Sequence, residues 1–308
     1  MTDIILDCDP GHDDAIALLL ALASPELNLL GVTTVSGNQT LEKTTANAIR
    51  VLDHVGRAEV SVAAGADRPL VRERHVAAEV HGETGLDGPD LPPPSRPAAD
   101  AHAIDWIATT LLAHPHAVTL VPTGPLTNIA LLLARYPELA GAVERIVLMG
   151  GAIGEGNVTP AAEFNVWADP EAAHRVFTSG IDLTMVGLDV THQALLRPAD
   201  VDRLRVAGRA GKLVAELFDF YVGFHRRRYG WAGAPVHDAV AVAHVIDGTL
   251  LSTERVGVVV DTGPELSRGR THTDVSGLSE WERNCHAAIG IDAERFRDLL
   301  ITRISSLG

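Results

Sequence analysis

Four aspartates, Asp7, Asp9, Asp13 and Asp14, fall within eight positions where an apolar strand pattern gives way to an apolar helix, in DIILDCDPGHDDAIALLLALA (3–23). Crowded carboxylates repel one another, and burying one without a partner costs several kcal/mol. An aspartate at a helix N-terminus is favoured by capping and by the helix dipole. That accounts for Asp13 or Asp14 but not for four together. Strand alternation also turns Asp7 and Asp9 toward the same side. A divalent cation neutralises such a set, and all-oxygen donors favour Ca²⁺ or Mg²⁺ over zinc. Pro10-Gly11 continues the D-x-D as a tight turn, unlike the usual continuation of an aspartyl-phosphate phosphatase. An EF-hand is disfavoured because its calcium loop lies between two helices.

The same strand-to-helix handover repeats along the chain. Strands are expected at 3–9, 27–35, 60–65, 117–122, 145–151 and 183–190, with two more near RVGVVVD (255–261). Helices are expected at 13–23, 40–56, 100–113, around 199–207 and 212–228, from His237 onward, and at 292–304. Pro125 suits the first turn of another helix, and Asp169-Pro170 reads as an N-cap followed by proline at the first helical position. Segments 66–99 and 152–168 read as loops. This alternation predicts an α/β fold: one domain over 1–308, a mostly parallel Rossmann-like sheet with helices on both faces. Ligands of such sheets sit outside the carboxyl ends of the strands, so the active site is expected there.

Composition narrows the partners. The net charge of −15 argues against a nucleic-acid surface, which needs a basic stripe. No apolar run reaches the ~20 residues of a membrane span, and no basic leader precedes an apolar stretch and cleavage site. Two cysteines, Cys8 and Cys285, imply no disulfide framework. A cytoplasmic location is the expectation.

Further polar residues cluster near the expected strand ends. EGNVTPAAEFNVWADP (155–170) supplies Asn157, Glu163 and Asn165, a set of donors and acceptors suited to polyols or to plain turns. PVHDAVAVAHVIDG (235–248) puts His237 and Asp238 at a helix start, where Asp238 also reads as a cap. HGETGLDG (81–88) sets His81 among glycines, as a lid or as a surface loop.

Taken with TTVSGNQT (33–40), VPTGPLTNIA (121–130), LMGG (148–151) and NVTPAAEFNVWADPEAA (157–173), these stretches closely resemble the inosine–uridine preferring nucleoside hydrolases, in the family's order and over most of the chain. The resemblance implies Ca²⁺-dependent hydrolysis of the N-glycosidic bond of ribonucleosides, giving ribose and a free base. It implies Asp9, Asp14, Asp238 and the main-chain carbonyl of Thr123 as calcium ligands. It gives Asp13, Asn157, Glu163 and Asn165 to the ribose hydroxyls, with Asn38 beside them, and Met149 and Phe164 to the sugar pocket. Asp9 also matches the general base, His237 the leaving-group acid, and His81 a mobile-loop position near the base. The family is commonly dimeric or tetrameric, so a homo-oligomer is expected.

The chemistry agrees with these residue types. Glycosidic cleavage passes through an oxocarbenium-like state that a carboxylate-rich pocket stabilises. Two other classes remain open at this point: a calcium-dependent nucleoside or ribose binding protein without turnover, and a phosphatase using Asp7 or Asp9. FHRRRYGWAG (224–233) offers His225, Tyr229 and Trp231 either to a base or to helix packing, and Arg226 to Arg228 read as a solvated face.

Overall fold

The computed structural model describes residues 1–263 and 266–307. The chain starts β1 (Thr2–Cys8), α1 (His12–Ala23), β2 (Leu27–Thr34), α2 (Leu41–His54), β3 (Val62–Ala64) and the short α3 (Ala78–His81). It continues through α4 (Ala103–Ala113), β4 (Val118–Pro122), α5 (Thr127–Arg135), β5 (Val143–Met149), α6 (Phe164–Ala168) and α7 (Pro170–Phe177). Then come β6 (Leu183–Val186), α8 (Leu188–Thr191), β7 (Leu195–Leu196), α9 (Pro198–Arg205), α10 (Gly208–Tyr229), β8 (Ala234–Pro235) and α11 (His237–Ile246). The chain closes with β9 (Leu251–Val260), β10 (Thr271–Asp274), β11 (Cys285–Ile291) and α12 (Ala293–Ser306).

One nine-stranded sheet runs in the order β10-β9-β11-β6-β5-β4-β1-β2-β3. From β11 to β3 all neighbours are parallel, while β9 and β10 extend the other edge in antiparallel pairs. Strand alternation builds two cores. Ile4, Leu6 and Cys8 face a cluster with α1, α2, α10, α11 and α12, whereas Ile5 faces one with α4, α5 and α7. The single-domain α/β sheet covered on both faces is the expected one.

Helix α1 is apolar on all sides because it is buried on all sides, from Ala15 to Ala21. Each buried leucine there contributes about 1.5–3 kcal/mol. This packing fixes the helix start, and hence Asp13 and Asp14, beneath the strand ends.

Several boundaries differ from the sequence reading; the loop expected at 66–99, for one, contains α3. The strand expected at 183–190 stops at Val186, and Leu188–Thr191 forms a helical turn. Asp189 stabilises the crossing by accepting the N–H groups of Ile153 and Gly154 at 2.7 and 2.9 Å. The loop 152–168 contains α6, whose N-cap is Glu163. Pro125 lies two residues ahead of α5 rather than inside its first turn. Asp169 is the cap that its sequence suggests, accepting Ala172 N–H at 3.0 Å.

Candidate active site

A cavity of about 330 Å³ opens at the carboxyl ends of β1, β4 and β5. Asp13, Asn38, His81, Thr123, Met149, Asn157, Glu163, Phe164, Asn165, His237 and Asp238 all line it. Residues far apart in sequence thus meet where the fold class puts a ligand. Asp9 and Asp14 do not line the cavity. Both are 0% exposed, held below its floor.

The acids form one connected group. Carboxylate oxygens of Asp13, Asp14 and Asp238 lie within 4.8 Å of one another. Asp14 Oδ1 accepts the main-chain N–H of Asp9 at 3.2 Å and the hydroxyl of Thr123 at 2.9 Å. Its Oδ2 accepts Gly11 N–H at 3.1 Å and Asn38 Nδ2 at 2.9 Å. Asp9 Oδ2 accepts Asn38 N–H at 2.6 Å, while Asp9 Oδ1 is buried without a partner among the described residues. Gly37 permits this approach, since a Cβ there would collide with Asp9 Oδ2.

Burial, then repulsion from Asp14, pushes Asp9 well above the usual carboxylate range and Asp13 up to about 8. Burial, then Asp13 and Asp14, does the same to Asp238. Among the described residues no Lys or Arg forms an ion pair with this group. An oxygen-only donor set, mutual proximity and the orphaned Asp9 Oδ1 all fit a hard divalent cation. Asp7 stands apart: it takes Thr33 Oγ1 at 2.5 Å and Asn128 Nδ2 at 2.7 Å, and burial raises it to about 6.

On the facing wall, Glu163 Oε1 accepts Asn165 N–H at 2.8 Å, and Oε2 accepts those of Gly151 and Val166 at 2.9 and 3.1 Å. Burial still raises Glu163 to about 7. Asn165 Nδ2 donates to the Thr123 and Met149 main-chain oxygens at 2.7 and 3.1 Å. Asn157 Oδ1 accepts Phe164 N–H at 3.0 Å.

His237 Nδ1 lies 2.7 Å from Thr191 Oγ1, which α8 presents. Burial, followed by repulsion from His192 and His225, holds His237 well below the ordinary histidine range. The enclosed ring is thereby kept neutral, so any donation from it is through an N–H. His225 and Tyr229 line the cavity, and Trp231 stacks on Tyr229 with centroids 4.5 Å apart. Tyr221, absent from the sequence reading, also lines it. Helical periodicity marks the buried face of α10 but not the cavity opposite.

The sequence model of the inosine-uridine preferring nucleoside hydrolases matches residues 4–298. The chain belongs to that family. It is an enzyme, a ribonucleoside hydrolase. A pyrimidine-specific ribonucleoside hydrolase RihA of Shewanella sp. (strain MR-7) is 52% identical over 98% of this chain and 96% of its own length. The protein of that name from Salmonella arizonae is 48% identical over 99% of both chains. Among solved structures, a purine-preferring ribonucleoside hydrolase from Gardnerella vaginalis superposes with a TM-score of 0.93, at 38% identity and 99% coverage of both chains. As in the sequence reading, no described helix of this hydrolase is long and apolar enough to cross a membrane.

Proposed function

We propose that this hydrolase cleaves pyrimidine ribonucleosides in a Ca²⁺-dependent reaction, with Asp9 as general base and His237 as the group that assists the departing base. The observation that carries the reading is the buried acid group without a counter-charge, at the floor of a cavity sized for a nucleoside. The preference for pyrimidines rests on the names of the relatives about half identical to this chain.

Asp9, Asp14, Asp238 and the Thr123 carbonyl would hold the cation, with Asp13 beside them. A bound divalent ion supplies a grip on vicinal hydroxyls and lowers the pKa of water. Asp9, ionised once a cation offsets the burial and repulsion that raise it, would accept a proton from the attacking water through the oxygen that Asn38 does not hold. Asp13, Asn157, Glu163 and Asn165, with Asn38 nearby, hold the ribose hydroxyls. Met149 and Phe164 cover the sugar and exclude water. As the glycosidic bond breaks, positive charge develops on the ribose, and the surrounding carboxylates stabilise it more than the neutral substrate. Negative charge develops on the leaving base, where the His237 N–H and the His81 ring can donate to it.

Ribose release from a panel of nucleosides, with and without chelator, tests the reading. Uridine and cytidine should be cleaved faster than inosine, and chelation should abolish turnover. Undiminished turnover after full chelation would overturn the metal dependence. A cytoplasmic homo-oligomer, dimer or tetramer, belongs to the same proposal; both cysteines are free and buried, consistent with a reducing compartment. Light scattering of the purified protein tests the assembly.

A further inference from the structure

His12 is the first residue of α1 and takes no part in the reaction as described. Its main-chain N–H donates to His81 Nδ1 at 3.2 Å, and its own Nδ1 lies 3.2 Å from that atom. Its Nε2 lies 2.8 Å from the main-chain oxygen of Asp87. A carbonyl only accepts, so the neutral His12 ring carries its proton on Nε2, and the Nδ1–Nδ1 approach is a contact without a hydrogen bond. A main-chain N–H only donates, so His81 Nδ1 presents a lone pair and neutral His81 carries its proton on Nε2. That Nε2 has no protein partner among the described residues, and the ring lines the cavity.

Packing reinforces the arrangement. The His12 ring stacks against His81 with centroids 5.4 Å apart, and against Phe220 and Tyr221 at 5.2 and 5.3 Å. Gly11 permits the close approach, because a Cβ there would stand 2.5 Å from His81 Nδ1. Asp87 closes its own turn by accepting the N–H groups of Glu83 and Thr84 at 2.9 and 3.0 Å. The His12–Asp87 contact therefore ties a preformed turn to the start of α1.

We propose that His12 is a positioning residue for His81: it fixes the Nε2–H tautomer, aims that donor at the nucleoside base, and anchors the 81–88 segment through Asp87. The inference rests on the nucleoside-pocket reading and adds how His81 is held.

Two experiments test it. Long-range ¹H–¹⁵N spectra of the histidine-labelled wild-type protein at neutral pH, with His81 assigned through His81→Ala, should show His81 protonated on Nε2. An Nδ1–H tautomer would overturn the proposal without bearing on turnover. His12→Ala keeps the main-chain N–H but loses the stack and the Asp87 tie. Its kcat/KM on uridine should fall about ten- to hundredfold, the scale of a misplaced catalytic group. Nitrophenyl riboside, whose leaving group needs no donor, should be much less affected. The His12→Ala/His81→Ala double variant should be no slower than His81→Ala alone. Additive losses, or equal losses on both substrates, would sink the positioning role. Wild-type uridine turnover in His81→Ala would instead refute the placement of His81 at the base.

Discussion

The main-chain N–H of Asn38 donates to Asp9 Oδ2 at 2.6 Å and leaves Oδ1 of that carboxylate buried and unpartnered. One oxygen orients the group, and in the proposed role the other takes the proton. Asp9→Asn should therefore lower kcat by about 10²–10⁴-fold, the usual contribution of a general base. The change is nearly isosteric, so the melting temperature of the chelator-stripped protein should not fall. Near wild-type ribose release from uridine would remove Asp9 from the base role.

Glu163 accepts three main-chain N–H groups, from Gly151, Asn165 and Val166. Glu163→Gln turns an amide NH₂ toward donors that need an acceptor. A loss of about 1–3 kcal/mol in unfolding free energy is expected, the cost of a buried unsatisfied group. KM should rise as well, because α6 carries Asn165 into the cavity. Denaturant titration checks the first effect and steady-state kinetics the second; unchanged stability would contradict the capping role.

His237→Ala should slow uridine cleavage by about 10²-fold yet spare nitrophenyl riboside. In the proposed role the neutral ring beside Thr191 would donate to the leaving base, and an activated leaving group has no need of a donor. Parallel losses on the two substrates would argue that His237 shapes the pocket instead.

Much of this site was legible in the order of residue types. Strand-to-helix junctions at Asp9, Asn38, Thr123 and Met149 announce a parallel sheet, and its strand ends announce the cavity. Asp13, Asp14 and Asp238 declare themselves as excess acid at helix starts. The rest lay in contacts between segments distant in sequence. Nothing near Glu163 signals that its carboxylate caps α6, because a cap and a surface acid look alike in a loop. His12 reads as an ordinary helix-start residue until His81, 69 positions later, is seen against it. The depressed titration of His237 depends on enclosure by α8 and its neighbours, which periodicity does not report. The β9–β10 edge was only partly legible, since β9 follows no strict in-out alternation of burial.

Outside the site, burial lowers His244 to about 4, with Arg145 adding to the effect, and its Nδ1 lacks a partner among the described residues. The unfolded chain takes up this proton near pH 6.5 while the folded chain refuses it until about pH 4. Stability is thus undiminished by this group above the unfolded value and falls as pH drops through the window. The full difference is about 3 kcal/mol at most. His244→Leu should flatten the decline in melting temperature across that window, and a variant curve parallel to wild type would contradict the assignment.

We propose that the buried acids around Asp14 hold one divalent cation. Calcium titrated into chelator-stripped protein, followed by calorimetry, tests it most directly. The expected result is one Ca²⁺ per chain, a raised melting temperature, and loss of both effects in Asp14→Asn. Stripped protein that takes up no calcium while keeping full ribonucleoside turnover would contradict it.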